Sequence, residues 1–92
     1  GYLTEEKVAI GARYLWPKQR ARAGLNARQA RVSASAIKAI AEQYAREAGV
    51  RNLDKHLGRI ARKAALEVIR MPAAQVQVTP TNLQQYLGAP LF

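Results

Sequence analysis

Apolar residues recur every three or four positions along most of this chain, and the breaks between the runs fall at proline and glycine. That period predicts a mainly helical protein. Thr4 is placed to cap a first helix, with Glu5 and Glu6 where the helix dipole favours negative charge. Val8, Ala9, Ala12, Leu15 and Trp16 follow at helical spacing. Pro17 lacks the N–H that a helix interior needs, so the first helix is expected to end near Leu15 or Trp16. Pro17 then opens a short helical stretch from Lys18 to Ala23, closed by Gly24. Residues Asn26 to Ala30 read as a loop and Arg31-Val32 as a very short strand.

Ser33 caps the next helix, whose stripe is Ile37, Ile40, Ala41, Tyr44 and Ala48, with Gly49 ending it. A long helix follows from about Arg51 or Asn52 to Arg70. Leu53, Leu57, Ile60, Ala61, Ala64 and Val68 share one face of it, and Lys55, Arg59, Arg62, Lys63 and Arg70 gather opposite. Met71 to Ala74 is a turn, and Gln75-Val76-Gln77-Val78 alternates as a half-buried strand does. Thr79-Pro80 signals a last short helix through Leu83, Tyr86 and Leu87 to Gly88. The expected fold is mainly α: about four helices with a minimal two-stranded sheet.

Ninety-two residues suit one domain with a thin core, since a chain of this size buries only about 60–65% of its unfolded surface. The net charge of +9 changes the picture more, because it favours anionic partners: nucleic acid, nucleotides, an acidic membrane surface or an acidic neighbouring domain. The absence of cysteine removes disulfides, thiolate nucleophiles and sulfur-ligated metals. No apolar run approaches the ~20 residues of a membrane span, and no membrane is among the partners expected. The opening Gly1-Tyr2-Leu3-Thr4 reads as a cut inside a longer protein.

Catalytic constellations fail. His56 is the single histidine and reads as a surface residue on the flank of the long helix. Ser33, Ser35 and Lys38 do not make a Ser-Lys dyad, because Ser33 is a cap and the other two lie in exposed first turns. Carboxylates are too scattered for a metal cluster, and no glycine-rich phosphate loop is present. The basic face of the long helix is solvated surface, a phosphate-contacting face, or one half of a helix-turn-helix that reads DNA. Arg51 opposes the dipole of the helix it starts. Free backbone N–H groups and a guanidinium together would hold an anion, whereas a salt bridge to Glu47 would explain the residue without one. The residues alone leave both open.

The stretch YAREAGVRNLDKHLGRIARKAA is similar to the segment after the ATPase core in Lon proteases, where a Tyr-Thr/Cys-Arg-Glu-Ala/Ser-Gly-Val-Arg-Asn/Gly-Leu signature carries the second sensor motif of AAA+ ATPases. GYLTEEKVAIGARYLWPKQ resembles the family's opening helix, and VTPTNLQQYLGAPLF its closing strand and helix. The resemblance covers essentially the whole chain. Ala45 in place of Thr or Cys, Asp54-Lys55 in place of Glu-Arg, and Trp16 in place of Leu or Val are the departures, and none touches the sensor.

What the resemblance implies is a small helical AAA+ lid over residues 1–92, a fragment inactive alone whose parent is an ATP-dependent serine endopeptidase. By position, Arg51 is the second-sensor arginine that reaches the γ-phosphate of ATP, and Tyr2, Ile10 and Val50 line the adenine. Mg²⁺ would be held by the large ATPase subdomain, outside these residues. The implied partners are that subdomain and the Ser-Lys protease domain of the same chain, five further copies in a homohexamer, and unfolded protein substrates. Weak DNA binding is a further expectation. The implied location is the bacterial cytoplasm, with the mitochondrial matrix as alternative. A free-standing basic DNA-binding module and a docking adaptor are the rival readings.

Overall fold

The computed structural model describes residues 1–92. Helix α1 spans Thr4–Ile10, a π-helical segment Gly11–Leu15, α2 Trp16–Arg22, α3 Ala34–Gln43, α4 Arg51–Arg70 and α5 Leu83–Leu87; strand β1 is Ala30–Val32 and β2 is Val76–Val78. Because α1, the π segment and α2 run on without a gap, the chain has four helical bodies and one two-stranded sheet, as the periodicity predicts.

The first body corrects two expectations. Thr4 is the first helical residue, not the cap; Leu3 holds the cap position, and the Glu6 carboxylate accepts the Leu3 N–H at 2.8 Å. Nor does the helix stop at Pro17. In a regular helix the proline ring would clash with the carbonyl four residues back. Here the ladder widens just before it, and the Trp16 N–H donates five residues back to the Gly11 carbonyl. That one-residue shift carries the rod past Pro17. Trp16 is 5% exposed and anchors the rod in the core.

Gly24 ends α2 as expected, with φ of +79°. The Gly24 N–H bonds the Ala21 carbonyl and the Leu25 N–H the Arg20 carbonyl, both at 3.0 Å, which is a Schellman closure with Leu25 buried beneath it. Ser33 caps α3, its Oγ accepting the Ala36 N–H at 3.0 Å. The strands pair in parallel with Ala30 opposite Val76, Arg31 opposite Gln77 and Val32 opposite Val78. Parallel pairing needs a long crossover, and α3 and α4 supply it.

On α4 the residues Leu53, Leu57, Ile60, Ala61 and Ala64 are buried and Val68 half-buried, the stripe that the helical spacing predicts. Ala45 and Trp16, two of the departures from the family pattern, both lie in this core. At the C-terminal side the last helix starts later than Thr79-Pro80 suggests. Asn82 accepts the Thr79 N–H through Oδ1 and donates to the Gln77 carbonyl through Nδ2, each at 2.8 Å, so residues 79–82 close into a turn and α5 begins at Leu83. Short polar side chains that bond nearby backbone compete with helix in this way.

Asp54, another departure, ties α4 to α2: it accepts Lys18 Nζ at 2.8 Å and Gln19 Nε2 at 2.9 Å. Burial alone would raise its carboxyl, but these two hydrogen bonds and the Lys18 charge outweigh burial and hold it below the ordinary carboxylate range.

Candidate functional site

The sequence places its candidate residues around the α3–α4 junction, and that junction differs from the expectation. The stripe through Ala48 predicts helix to Gly49, yet α3 stops at Gln43 and Ala48 is exposed. A carbonyl that would continue the helix is taken by a remote part of the chain, and two more bonds hold the loop that follows. Gln43 O accepts the N–H groups of Leu91 and Phe92 at 2.9 and 3.1 Å, Glu47 O accepts Lys7 Nζ, and Ala48 O accepts the Tyr2 N–H at 2.9 Å. Tyr44 leaves the helix to donate its hydroxyl to the Gly88 carbonyl at 2.6 Å. Residues 44–50 are therefore a loop pinned from both ends of the chain.

Helix α4 begins at Arg51, whose N-cap residue, Val50, has no side-chain acceptor. Glu47 supplies one. Its Oε1 and Oε2 both lie 3.0 Å from the Asn52 N, and Oε2 lies 3.0 Å from the Leu53 N. Neither sequence reading of Arg51 survives whole. Glu47 does not pair with it, since the ion pair within 4 Å is Lys18–Asp54. Nor are the backbone N–H groups of this turn free for an anion, because Glu47 holds two of them. Arg51 itself is exposed, with its guanidinium uncommitted.

Tyr2 is brought against the same loop by its bond to Ala48 and is 49% exposed, and Val50 packs half-buried on the core edge. Ile10 is half-exposed on α1, one turn beyond Lys7. Tyr2, Val50 and Arg51 thus sit on one junction, with Ile10 on the helix that Lys7 joins to it. What this junction presents is an uncommitted guanidinium, a half-exposed aromatic ring and partly buried aliphatic surface. No three His, Cys, Asp or Glu side chains gather to cage a metal ion.

Sequence reasoning missed Lys7. It is 7% exposed and donates to the Glu47 carbonyl across forty positions of chain. A lysine in a helix's first turns normally reads as solvated, and only its spacing four residues before the buried Gly11 hinted at an inward face.

His56 is not the surface residue expected: it is half-buried, with its ring edge-on to Tyr44 at 5.9 Å between centroids. Burial, and then the Arg59 charge, push its pKa below 6.5. The unfolded chain therefore binds this proton more readily than the folded one. Stability should fall as pH drops from about 7 to 5, through the unfolded value, and His56→Gln should flatten that slope in thermal unfolding. An unchanged slope would place the acid sensitivity elsewhere.

Ser33 spends its hydroxyl on the α3 cap and lies 3.0 Å from Ser35 Oγ, while Lys38 is exposed. Of the basic face, Lys55, Arg59, Arg62 and Arg70 are exposed, but Lys63 is engaged on the Tyr86 carbonyl at 2.7 Å. A helix-turn-helix needs a turn of about three or four residues. The loop of residues 44–50 is longer and is pinned elsewhere, which disfavours the DNA-reading alternative. No helix is long and apolar enough to cross a membrane.

Residues 21–78 match the family model described as the Lon protease AAA+ ATPase lid domain. The whole chain is 46% identical to the mitochondrial Lon protease homologue of Mus musculus and 47% identical to the Lon protease of Magnetococcus marinus. It spans 10% and 11% of the length of those two relatives. Among solved structures, the Bacillus subtilis Lon protease SSD domain superposes with a TM-score of 0.75 at 38% identity, covering all of this chain and 97% of that one. A family model over most of the residues, sequence relatives over all of them and a shared fold with a solved Lon domain lead to one conclusion: this chain belongs to the Lon protease family and carries the lid of its AAA+ ATPase.

Proposed function

We propose that residues 1–92 are one subdomain of a longer chain and act as the nucleotide sensor of an ATP-dependent Lon-type protease. ATP is held between this lid and a large ATPase subdomain that also carries Mg²⁺. Arg51 reaches the γ-phosphate, while Tyr2, Ile10 and Val50 pack around the adenine. The observation that carries this reading is the exposed Arg51 with no internal partner at the start of α4, although Glu47 lies close by in sequence. Closing on ATP and relaxing after hydrolysis, the lid drives unfolded substrate through a homohexamer into a Ser-Lys proteolytic chamber. The parent is placed in the bacterial cytoplasm, with the mitochondrial matrix as the alternative. The test is ATP turnover by the full-length parent carrying Arg51→Ala.

The basic face supports one secondary property. Arg22, Lys55, Arg59 and Arg62 line a polar groove between α2 and α4. Polyanion binding there should be weak, indifferent to sequence and steeply salt-dependent, because its drive is counterion release. Titration with a random and a fixed DNA duplex at two salt concentrations checks this. Sequence preference that survives high salt would instead revive the DNA-module reading.

A further inference from the structure

Arg51 has no internal partner, so nothing but the backbone of its own helical turn aims its side chain. That turn is fixed by Glu47, whose carboxylate accepts the two N–H groups that follow Arg51. Glu47 is itself fixed through its main chain. The buried Lys7 ammonium donates to its carbonyl, and Tyr2 bonds the next residue's carbonyl. A buried ammonium must be hydrogen-bonded to offset its desolvation, and the Glu47 carbonyl is the acceptor the structure gives it. The chain of contacts therefore runs from α1 through Lys7 and Glu47 to the base of Arg51. The cap also has a chemical consequence. By filling those N–H groups, Glu47 leaves the guanidinium as the main anion donor at this helix start, and its own charge is spent on the backbone.

We infer that Glu47, locked by Lys7, is the positioning residue for Arg51, an inference that rests on the sensor reading of Arg51. It makes ATP recognition depend on where α1 holds the loop. The test measures, in the full-length parent, the affinity ratio for a non-hydrolysable ATP analogue over ADP. Arg51→Ala should collapse that ratio. Glu47→Ala should lower it about five- to ten-fold, the scale of a typical coupling between sites. Glu47→Gln, which keeps an acceptor at the same reach, should hold it within about two-fold. The double variant Glu47→Ala with Arg51→Ala should fall no further than Arg51→Ala alone, as expected for residues acting through one group. If Glu47→Ala fails to assemble, Lys7→Met, which keeps the apolar stem, carries the same expectation of a lowered ratio. Equal loss of affinity for both nucleotides in Glu47→Ala or Lys7→Met, with the ratio intact, would make the pair a plain structural cap and overturn the inference. A ratio unchanged in Arg51→Ala would remove the sensor reading and the positioning role together. Collapse in Arg51→Ala with no change in Glu47→Ala would remove the positioning role alone.

Discussion

Alanine at position 51 of the full-length parent is expected to cut ATP hydrolysis and ATP-driven degradation together, by about ten-fold or more. A lid can respond only to a group gained or lost in the cycle, and the γ-phosphate is that group. One charge-assisted hydrogen bond to phosphate is worth ~1.5–3 kcal/mol, and each ~1.4 kcal/mol is a factor of ten in rate. Folding should be spared, because the Arg51 side chain is exposed and makes no ion pair, while the helix start keeps its Glu47 cap. Cleavage of short unstructured peptides should suffer less than degradation of folded proteins, since it needs less mechanical work. Arg51→Lys should restore little, because a point charge cannot replace the planar fork. Wild-type rates of both activities in Arg51→Ala would remove Arg51 from the nucleotide site.

The helical periods, the Ser33 cap, the Gly24 closure and the two strands were legible because each rests on residues close together in sequence. The family signature was legible for the same reason. The misses share the opposite cause. Pro17 is a local stop signal that a π turn and the burial of Trp16 override. The end of α3 and the course of the loop after it depend on bonds from Leu91 and Phe92 and from Tyr2 and Lys7, all remote in sequence from the carbonyls they hold. No period in residues 34–49 carries that information. At Arg51 the local argument left a salt bridge to Glu47 open, and the structure turns that carboxylate onto the backbone instead, because a carboxylate four residues away can reach either the side chain or the N–H groups. Which it chooses follows from the loop's shape, and Lys7 sets that shape from forty positions away.

The largest loss of stability is expected where the first rod crosses α3. Ile37 is fully buried there, and Ile37→Ala should cost ~2–5 kcal/mol, a lost transfer energy plus a cavity. Gly11 sits opposite. A Cβ added to it would lie 2.8 Å from Ile37 Cγ2 and 3.5 Å from Leu53 Cδ2. The first distance is too short for two carbons, and Ile37 cannot yield easily, since a β-branched side chain in a helix keeps one χ1 rotamer. Alanine gains ~0.5–1 kcal/mol over glycine within a helix, whereas overpacking costs ~1–3 kcal/mol, so Gly11→Ala should destabilise on balance. With Ile37→Ala already present the methyl has room, and the same Gly11→Ala change should become neutral or stabilising. The two substitutions are thus expected to couple by ~0.5–3 kcal/mol, the range found for residues in contact. Thermal unfolding resolves this, because each kcal/mol moves the midpoint of a domain this size by about 4–8 °C. A higher midpoint for Gly11→Ala in the wild-type background would show that the π segment does not press on α3 as closely as these distances require.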